Sequence, residues 1–518
     1  MGKTPFIALL FLINFLVREG VSLSNQGRKI QLKNERFRPQ IHYSVPENWS
    51  NDPNGMVYLD GEYHLYYQYN PYDTVGDGNR MHWGHAVSTN MVKWTDLPVA
   101  LYPDELGAIW SGSAVVDHDN TTGFQTGDTP PIVAIFTHFG PLQQQSIAYS
   151  NDKGRTFTKY AGNPVIPNTD GLPDFRDPKV IRYGNSWIMV LAVGPVVHFY
   201  SSTDLKSWEF LSEFGREQGA HAGPWECPDL LEMKFGDETV WVLTVSLHGA
   251  HPNGGSGTQY FVGDFDGLHY SSSQMDALWM DWGLDNYAGV TFANDPKGKW
   301  IMMGWMTNLD YAGSTPTEGW RGQFTLPRQL GLRLVNGQLR LQSTPVPELN
   351  LLLKNGLYNP ENITILADDV LDLSTLNNPL LHLDLTFDIS RLSNGASLAI
   401  CFVNSQSQEV CTGYDKGRER PLFLNRELSG LADFHPNFPR RASAIREATT
   451  DTIRFEIYVD VSAVEVFVDS GLECMTALFY PDEPDTGVEI RHHAVGNDDS
   501  VIVLLNGYVE GLLSMTEI

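Results

Sequence analysis

The chain has 518 residues, 42% hydrophobic and 19% charged, with a formal net charge of −27. That length exceeds one ordinary hydrophobic core, and the balance is that of a globular protein, not a disordered one. So large an acidic excess repels nucleic acid and anionic lipid, which argues against both as partners and leaves a neutral small molecule or oligosaccharide.

In chain order, the first segment reads as a secretory leader. Lys3 gives a basic start, and Phe6 to Val17 is an apolar run of about 12 residues, within the range of a signal core and too short to span a bilayer. Gly20 and Ser22 offer small residues for cleavage. A signal peptide over 1–22 and a secreted mature chain are expected, and no later stretch is apolar enough to suggest a membrane span. The triplets beginning at Asn48, Asn120 and Asn362 are sequons, of which Asn120 and Asn362 are the expected glycan carriers.

From about residue 40 strand signals dominate. Runs such as Tyr63–Tyr67, Ile132–Phe136 and Val240–Thr244 are short, rich in aromatic and β-branched residues, and bounded by Gly, Pro, Asn or Asp. A weak repeat accompanies them: Ala86 to Asn90 leads to Trp94, Ala148 to Asp152 to Phe157, and Phe199 to Asp204 to Trp208. Each copy is a strand, a Ser with a polar turn, and an aromatic opening the next strand. The spacing of roughly 50–60 residues is at or just above that of propeller blades. Near residues 340–350 the character changes, with Val346-Pro347-Glu348 as a connector. Beyond it, His382–Phe387 and Arg454–Val459 alternate with a period of two, which suits an antiparallel sandwich with one face buried.

Three acidic clusters carry the chemistry. In Trp49-Ser50-Asn51-Asp52-Pro53-Asn54-Gly55 the backbone must turn sharply at Asp52. In Phe175-Arg176-Asp177-Pro178, Arg176 is placed to hold a neighbouring carboxylate ionised. In Trp225-Glu226-Cys227-Pro228-Asp229 the apolar neighbours of Glu226 would raise its pKa, as suits a general acid. Taken singly, each reads as an ordinary turn or strand end.

Together, and in this order, WSNDPNG, FRDP and WECPD closely resemble the signature motifs of glycoside hydrolase family 32, which contains invertases, exo-inulinases, levanases and plant fructosyltransferases. Tyr67-Gln68-Tyr69-Asn70-Pro71, Trp83-Gly84-His85, Ser111 to Ala114, Gly304-Trp305-Met306 and Trp320-Arg321 extend the likeness. Ser462 to Phe467 looks like the strand motif of the family's second module, so the similarity runs over roughly residues 38 to 510. The resemblance implies an all-β chain: a five-bladed β-propeller over 38–340, then a β-sandwich over 350–518. It implies Asp52 as nucleophile, Glu226 as general acid/base and Asp177 as transition-state stabiliser fixed by Arg176. Asn51, Gln68, Ser111 and Arg176 would bind the sugar, and Trp49, Trp83 and Trp305 would pack on its apolar faces. One departure stands out: Ser50 occupies a position where the motif commonly has Met, and is expected to alter the pocket wall.

The implied reaction is retaining hydrolysis of sucrose or a related β-fructoside. The alternatives are exo-inulinase, levanase or fructosyltransferase chemistry on the same fold. More distant are a sialidase, suggested by Ser150 to Phe157 with its Asp-box pattern, and a sugar-binding protein without catalysis. No cofactor and no metal are expected. His82 and His85 are close in sequence, but alternation along a strand separates them from any shared cage, and the four cysteines form no metal motif. Cys401 and Cys411 could pair across a hairpin, leaving Cys227 and Cys474 free or unexplained. Oligomeric state is not legible.

Overall fold

The computed structural model describes residues 35–374, 378–494 and 499–518, so the expected leader over 1–22 lies outside the described residues. Among the described residues, structure is almost wholly strand. The helical pieces are three short 3-10 turns at Gly78–Arg80, Ala312–Ser314 and Pro347–Leu352, and no helix is long and apolar enough to cross a membrane.

Between Asn48 and Pro345 the strands form a series of sheets taken in chain order. Their first strands are Asn48–Leu59, Ala108–Val116, Phe175–Tyr183, Trp225–Phe235 and Tyr287–Thr291. Each packs against the next, and the last returns to the first, closing a ring. This is a β-propeller, with the first strands around its axis.

The ladder of every one of these inner strands breaks at a comparable level. Register shifts fall between Ser50 and Pro53, Ile109 and Gly112, Arg176 and Lys179, Glu226 and Asp229, and Tyr287 and Val290. The skipped residues are Asn51-Asp52, Trp110-Ser111, Asp177-Pro178, Cys227-Pro228 and Ala288-Gly289. Pro or Gly stands within or directly after each break. Pro has no N–H to give the ladder, and Gly accepts the bent backbone, so the sequence itself writes a bulge into each strand. Asp177, Cys227 and Ala288 adopt φ of 64°, 46° and 54°. Left-handed backbone at a residue with a side chain costs roughly 1–2 kcal/mol each. The bulges take these side chains out of strand alternation at the ring's axis.

The repeat seen in the sequence marks equivalent hairpins. Ser88, Ser150 and Ser202 each bond a side-chain carboxyl or amide two residues on (Asn90, Asp152, Asp204) at 3.1, 2.7 and 3.2 Å. Met91, Lys153 and Leu205 then take φ of 62°, 58° and 61°. The indoles of Trp94 and Trp208 close two of these turns by donating to the carbonyls of Met91 and Leu205. The Asp-box-like segment at Ser150 is one of these turns, linking the third and fourth strands of its sheet.

After the turn at Pro347–Leu352, two antiparallel sheets of seven and six strands follow. Leu383, Leu385, Phe387 and Val466 from one sheet and Leu398, Ile400, Phe402 and Val488 from the other share a single core, as in a β-sandwich. Asp384 and Thr386 alternate outward, as the period of two requires. Cys401 and Cys411 face each other on neighbouring strands and form a disulfide. Cys227 and Cys474 are buried free thiols.

The two modules join through buried charge. Arg328 of the propeller donates to Glu465 Oε2 at 2.5 and 2.8 Å and to Asp281 Oδ2 at 2.9 Å. Asp281 also accepts from the amide and hydroxyl of Thr476 in the sandwich. His42 bridges Asp460 at 2.8 Å and Glu465 at 3.1 Å, while Asp460 caps the backbone amides of Gln40, Ile41 and His42. A second cluster joins Arg426 to Asp285 and Tyr311. Burying so many charges is tolerable because each has a partner.

Candidate active site

A cavity of about 260 Å³ opens at the ring's axis. Asn51, Asp52, Gln68, Ser111, Arg176, Asp177, Glu226 and Trp305 all line it, as does Trp49. Asp52, Ser111, Asp177 and Glu226, up to 174 positions apart, therefore meet because four different inner strands present them at or beside their bulges. Cys227 shows how close the meeting is: its thiol lies 3.5 Å from Asp52 Oδ2 and 3.7 Å from Asp177 Oδ2.

Each carboxylate has a distinct setting. Asp52 Oδ2 accepts from the Ser111 hydroxyl at 2.6 Å, and Oδ1 from the Asn51 amide at 3.1 Å. Burial pushes its pKa up, as does the charge of Glu226, against the pull of the hydrogen bonds. Asp177 Oδ2 accepts from the Cys227 backbone amide at 3.0 Å, and burial raises its pKa to about 7. Glu226 Oε1 takes two bonds from Arg176 at 2.7 and 3.0 Å. Its Oε2 meets His248 Nε2 at 2.7 Å and accepts from the Tyr287 hydroxyl. Burial works to raise Glu226, but the His248 hydrogen bond and the Arg176 charge outweigh it and hold the group down at about 2. Burial likewise keeps the Cys227 thiol protonated, so it acts as a donor.

Four sequence expectations need correction. Trp83 is fully buried against Tyr66 and Gly55, and its indole donates to the Trp110 carbonyl at 3.0 Å; it supports the cavity wall from behind and cannot stack on a sugar. Arg176 fixes Glu226 and Asp174, not Asp177, which stays at 4.0 Å without a hydrogen bond. The apolar neighbours of Glu226 do not set its pKa; the cations across the cavity do. Ser50 does not shape the pocket wall, because it is fully buried and packs against Gly322.

Further lining residues escaped the sequence, Trp110, His248 and Tyr287 among them. His248 was recoverable in principle. Glu226 pairs with Ser246 on the neighbouring strand, and a side chain two residues further along points to the same face. Tyr287 immediately precedes the Ala288-Gly289 bulge. His82 and His85 play structural roles: His82 caps the Arg80 carbonyl and His85 pairs with His64.

Residues 42–345 match the N-terminal domain of glycosyl hydrolases family 32, and residues 351–505 match its C-terminal domain. The chain belongs to glycoside hydrolase family 32. It is 44% identical over 475 residues to a levanase of Bacillus subtilis (strain 168), covering 88% of this chain and 68% of that enzyme. It is 35% identical to an extracellular exo-inulinase of Aspergillus niger, covering 86% of this chain and 90% of that one. Its fold superposes with a TM-score of 0.85 on a β-fructofuranosidase of Schwanniomyces occidentalis complexed with fructosyl-erythritol, at 30% identity over 93% of this chain and 99% of that one. As a family 32 member it is a glycoside hydrolase, of a family acting on fructosides.

Proposed function

We propose that the chain is a secreted retaining β-fructofuranosidase that releases terminal non-reducing fructosyl units from sucrose and related fructosides. The observation carrying this reading is the convergence of Asp52, Asp177 and Glu226 in one open cavity. Asp52 attacks the anomeric carbon, forming a covalent ester, while Glu226 protonates the departing oxygen. Water, deprotonated by Glu226, then breaks the ester and frees fructose. Asp177 offers negative charge to the oxocarbenium-like transition state. The three carboxylates titrate as a set. Sugar hydroxyls bonded to Asp52 and Asp177 favour their charged forms, and each charge gained there drives the shared proton toward Glu226. Asn51, Gln68, Ser111 and Arg176 position sugar and nucleophile, with Trp49 and Trp305 as apolar faces.

We read the sheets between residues 38 and about 345 as five blades, with the sandwich from about 350 to 518. Secretion is supported by the leader-like start, the disulfide and an extracellular relative. Asn120 and Asn362 are exposed and fit glycan attachment, whereas the Asn48 amide is bonded to the Pro71 carbonyl and Ser50 is buried. The names of the levanase and exo-inulinase relatives favour a second reading, in which fructan chains are trimmed from the end by the same chemistry. Initial rates on sucrose, raffinose, inulin and levan, with product analysis at high sucrose for transfer, separate hydrolysis, fructan trimming and fructosyl transfer. Binding of all four without release of any monosaccharide would defeat the proposal.

A further inference from the structure

Glu226 has no spare oxygen. Oε1 is held by two N–H groups of Arg176, and Oε2 by Tyr287 and His248. An arginine does not release a proton at ordinary pH. Burial and the charge of Glu226 place the Tyr287 hydroxyl well above its usual range, so it too only donates. Among the described side chains bonded to Glu226, His248 is the one able both to give and to take a proton. It also spans two environments: its side chain is 49% exposed, against 14% for Glu226.

We propose that His248 is the proton partner of Glu226, so that the acid working in the cavity is a Glu226–His248 pair carrying one proton between them. The inference rests on Glu226 being the general acid/base. With the proton on Nε2 the pair is imidazolium and carboxylate. Moved along the 2.7 Å contact to Oε2 it gives neutral imidazole and carboxylic acid. The acid then passes that proton to the leaving-group oxygen as the glycosidic bond breaks and the Asp52 ester forms. In the second half, water loses a proton to Oε2 as its oxygen bonds to the anomeric carbon and the ester breaks. The pair ends with one proton, as it began. The charged groups facing His248 are Glu226 and Asp52, which favour the imidazolium, and Arg176, which opposes it; the Tyr287 ring lies 6.3 Å away. The Glu226 hydrogen bond leads these effects and raises the His248 pKa above 6.5.

A paired acid keeps its proton to higher pH than a carboxyl beside Arg176 alone. His248→Gln and His248→Asn, which retain an amide donor but cannot titrate, should move the alkaline limb of kcat/KM on sucrose down by about one pH unit or more. Turnover at pH 7 should then fall about tenfold. β-D-fructofuranosyl fluoride needs little proton assistance to leave, so its hydrolysis should change less than about threefold. Two variants guard against one failing to fold. Alkaline limbs on sucrose that superimpose on the unaltered enzyme, or equal losses on sucrose and fluoride, overturn the proposal. Glu226→Gln serves as the separate control: if it still hydrolyses sucrose normally, the assignment of Glu226 itself fails, whatever the His248 variants do.

Discussion

The cavity and the joint between the modules are built from the same residue types, yet they balance charge in opposite ways. At the joint, Asp281, Asp460 and Glu465 are buried, and their partners Arg328 and His42 hold all three below the usual carboxylate range despite burial. The cavity holds the same counts, three carboxylates with one arginine and one histidine, but pairs them unevenly: Arg176 and His248 both bond Glu226, and neither hydrogen-bonds Asp52 or Asp177. There the pKa values split, with Asp52 and Asp177 up and Glu226 down. Carboxylates that each have a bonded cation fasten the joint, whereas carboxylates left without one hold protons that can move. The contrast means that removing a charge should have opposite effects on stability in the two places.

The largest expected effect is on turnover. Asp52→Asn or Glu226→Gln should lower kcat on sucrose by at least about 10³-fold, because each removes a bond-forming or proton-transferring group. Circular dichroism and melting should remain those of a folded chain. Near-normal turnover in either purified variant would remove the basis for the contrast.

Next comes the joint. Arg328→Met strips Asp281 of its cation and Glu465 of one of its two, and should destabilise by about 3–5 kcal/mol, read as a fall in the denaturant midpoint. In the cavity the sign reverses. Asp177→Asn keeps an oxygen for the Cys227 amide while removing one of the crowded charges, and should stabilise by about 1–3 kcal/mol even as activity is lost. If both substitutions destabilise alike, the distinction between paired and unpaired carboxylates is wrong.

The same comparison has a pH signature. Asp177 titrates at about 7 in the folded chain, above its ordinary 3.8. Its protonated form is favoured by folding, so its contribution is full below 3.8 and fades as pH rises through 7. His42 is raised from 6.5 to about 9: burial alone would lower it, but the bonds and charges of Asp460 and Glu465 overcome that. Its contribution, on the order of 3 kcal/mol, is whole below 6.5 and is lost as pH climbs through 9. Unfolding measured across this range should therefore weaken in two windows. Asp177→Asn should erase the lower one and His42→Gln the upper one. A single window surviving both substitutions would assign the loss to other groups.

Much of this was legible in residues 49–55, 175–178 and 225–229, because Pro and Gly at fixed offsets from acidic residues record the bulges that bring the strands' side chains together. The Ser–polar–aromatic turns were legible because their hydrogen bonds are local. What lay hidden depended on pairings across strands. His248 reaches Glu226 only once the register Glu226↔Ser246 is known. Arg176 sits beside Asp177 in sequence, but the bulge at Asp177-Pro178 parts their side chains and leaves the guanidinium to Glu226. Glu465 lies in the segment that resembles the strand motif of the second module, and nothing local says that Arg328, far earlier in the chain, will cover it.

Trp83 provides the smallest and most discriminating test. It lies among the sugar-binding motifs, yet its ring is sealed between Tyr66, Phe136 and the backbone of Gly55. Its one polar act is to hold the Trp110 carbonyl on the cavity-lining strand. Trp83→Phe forfeits that bond and some packing volume, and should cost about 1–3 kcal/mol of stability. KM on sucrose should move less than about threefold, since no surface that meets sugar is removed. Trp305→Ala, which strips an indole that does line the cavity, should instead raise KM with a smaller change in stability. A KM effect at Trp83 matching that at Trp305 would mean that the ring behind Gly55 reaches the sugar after all.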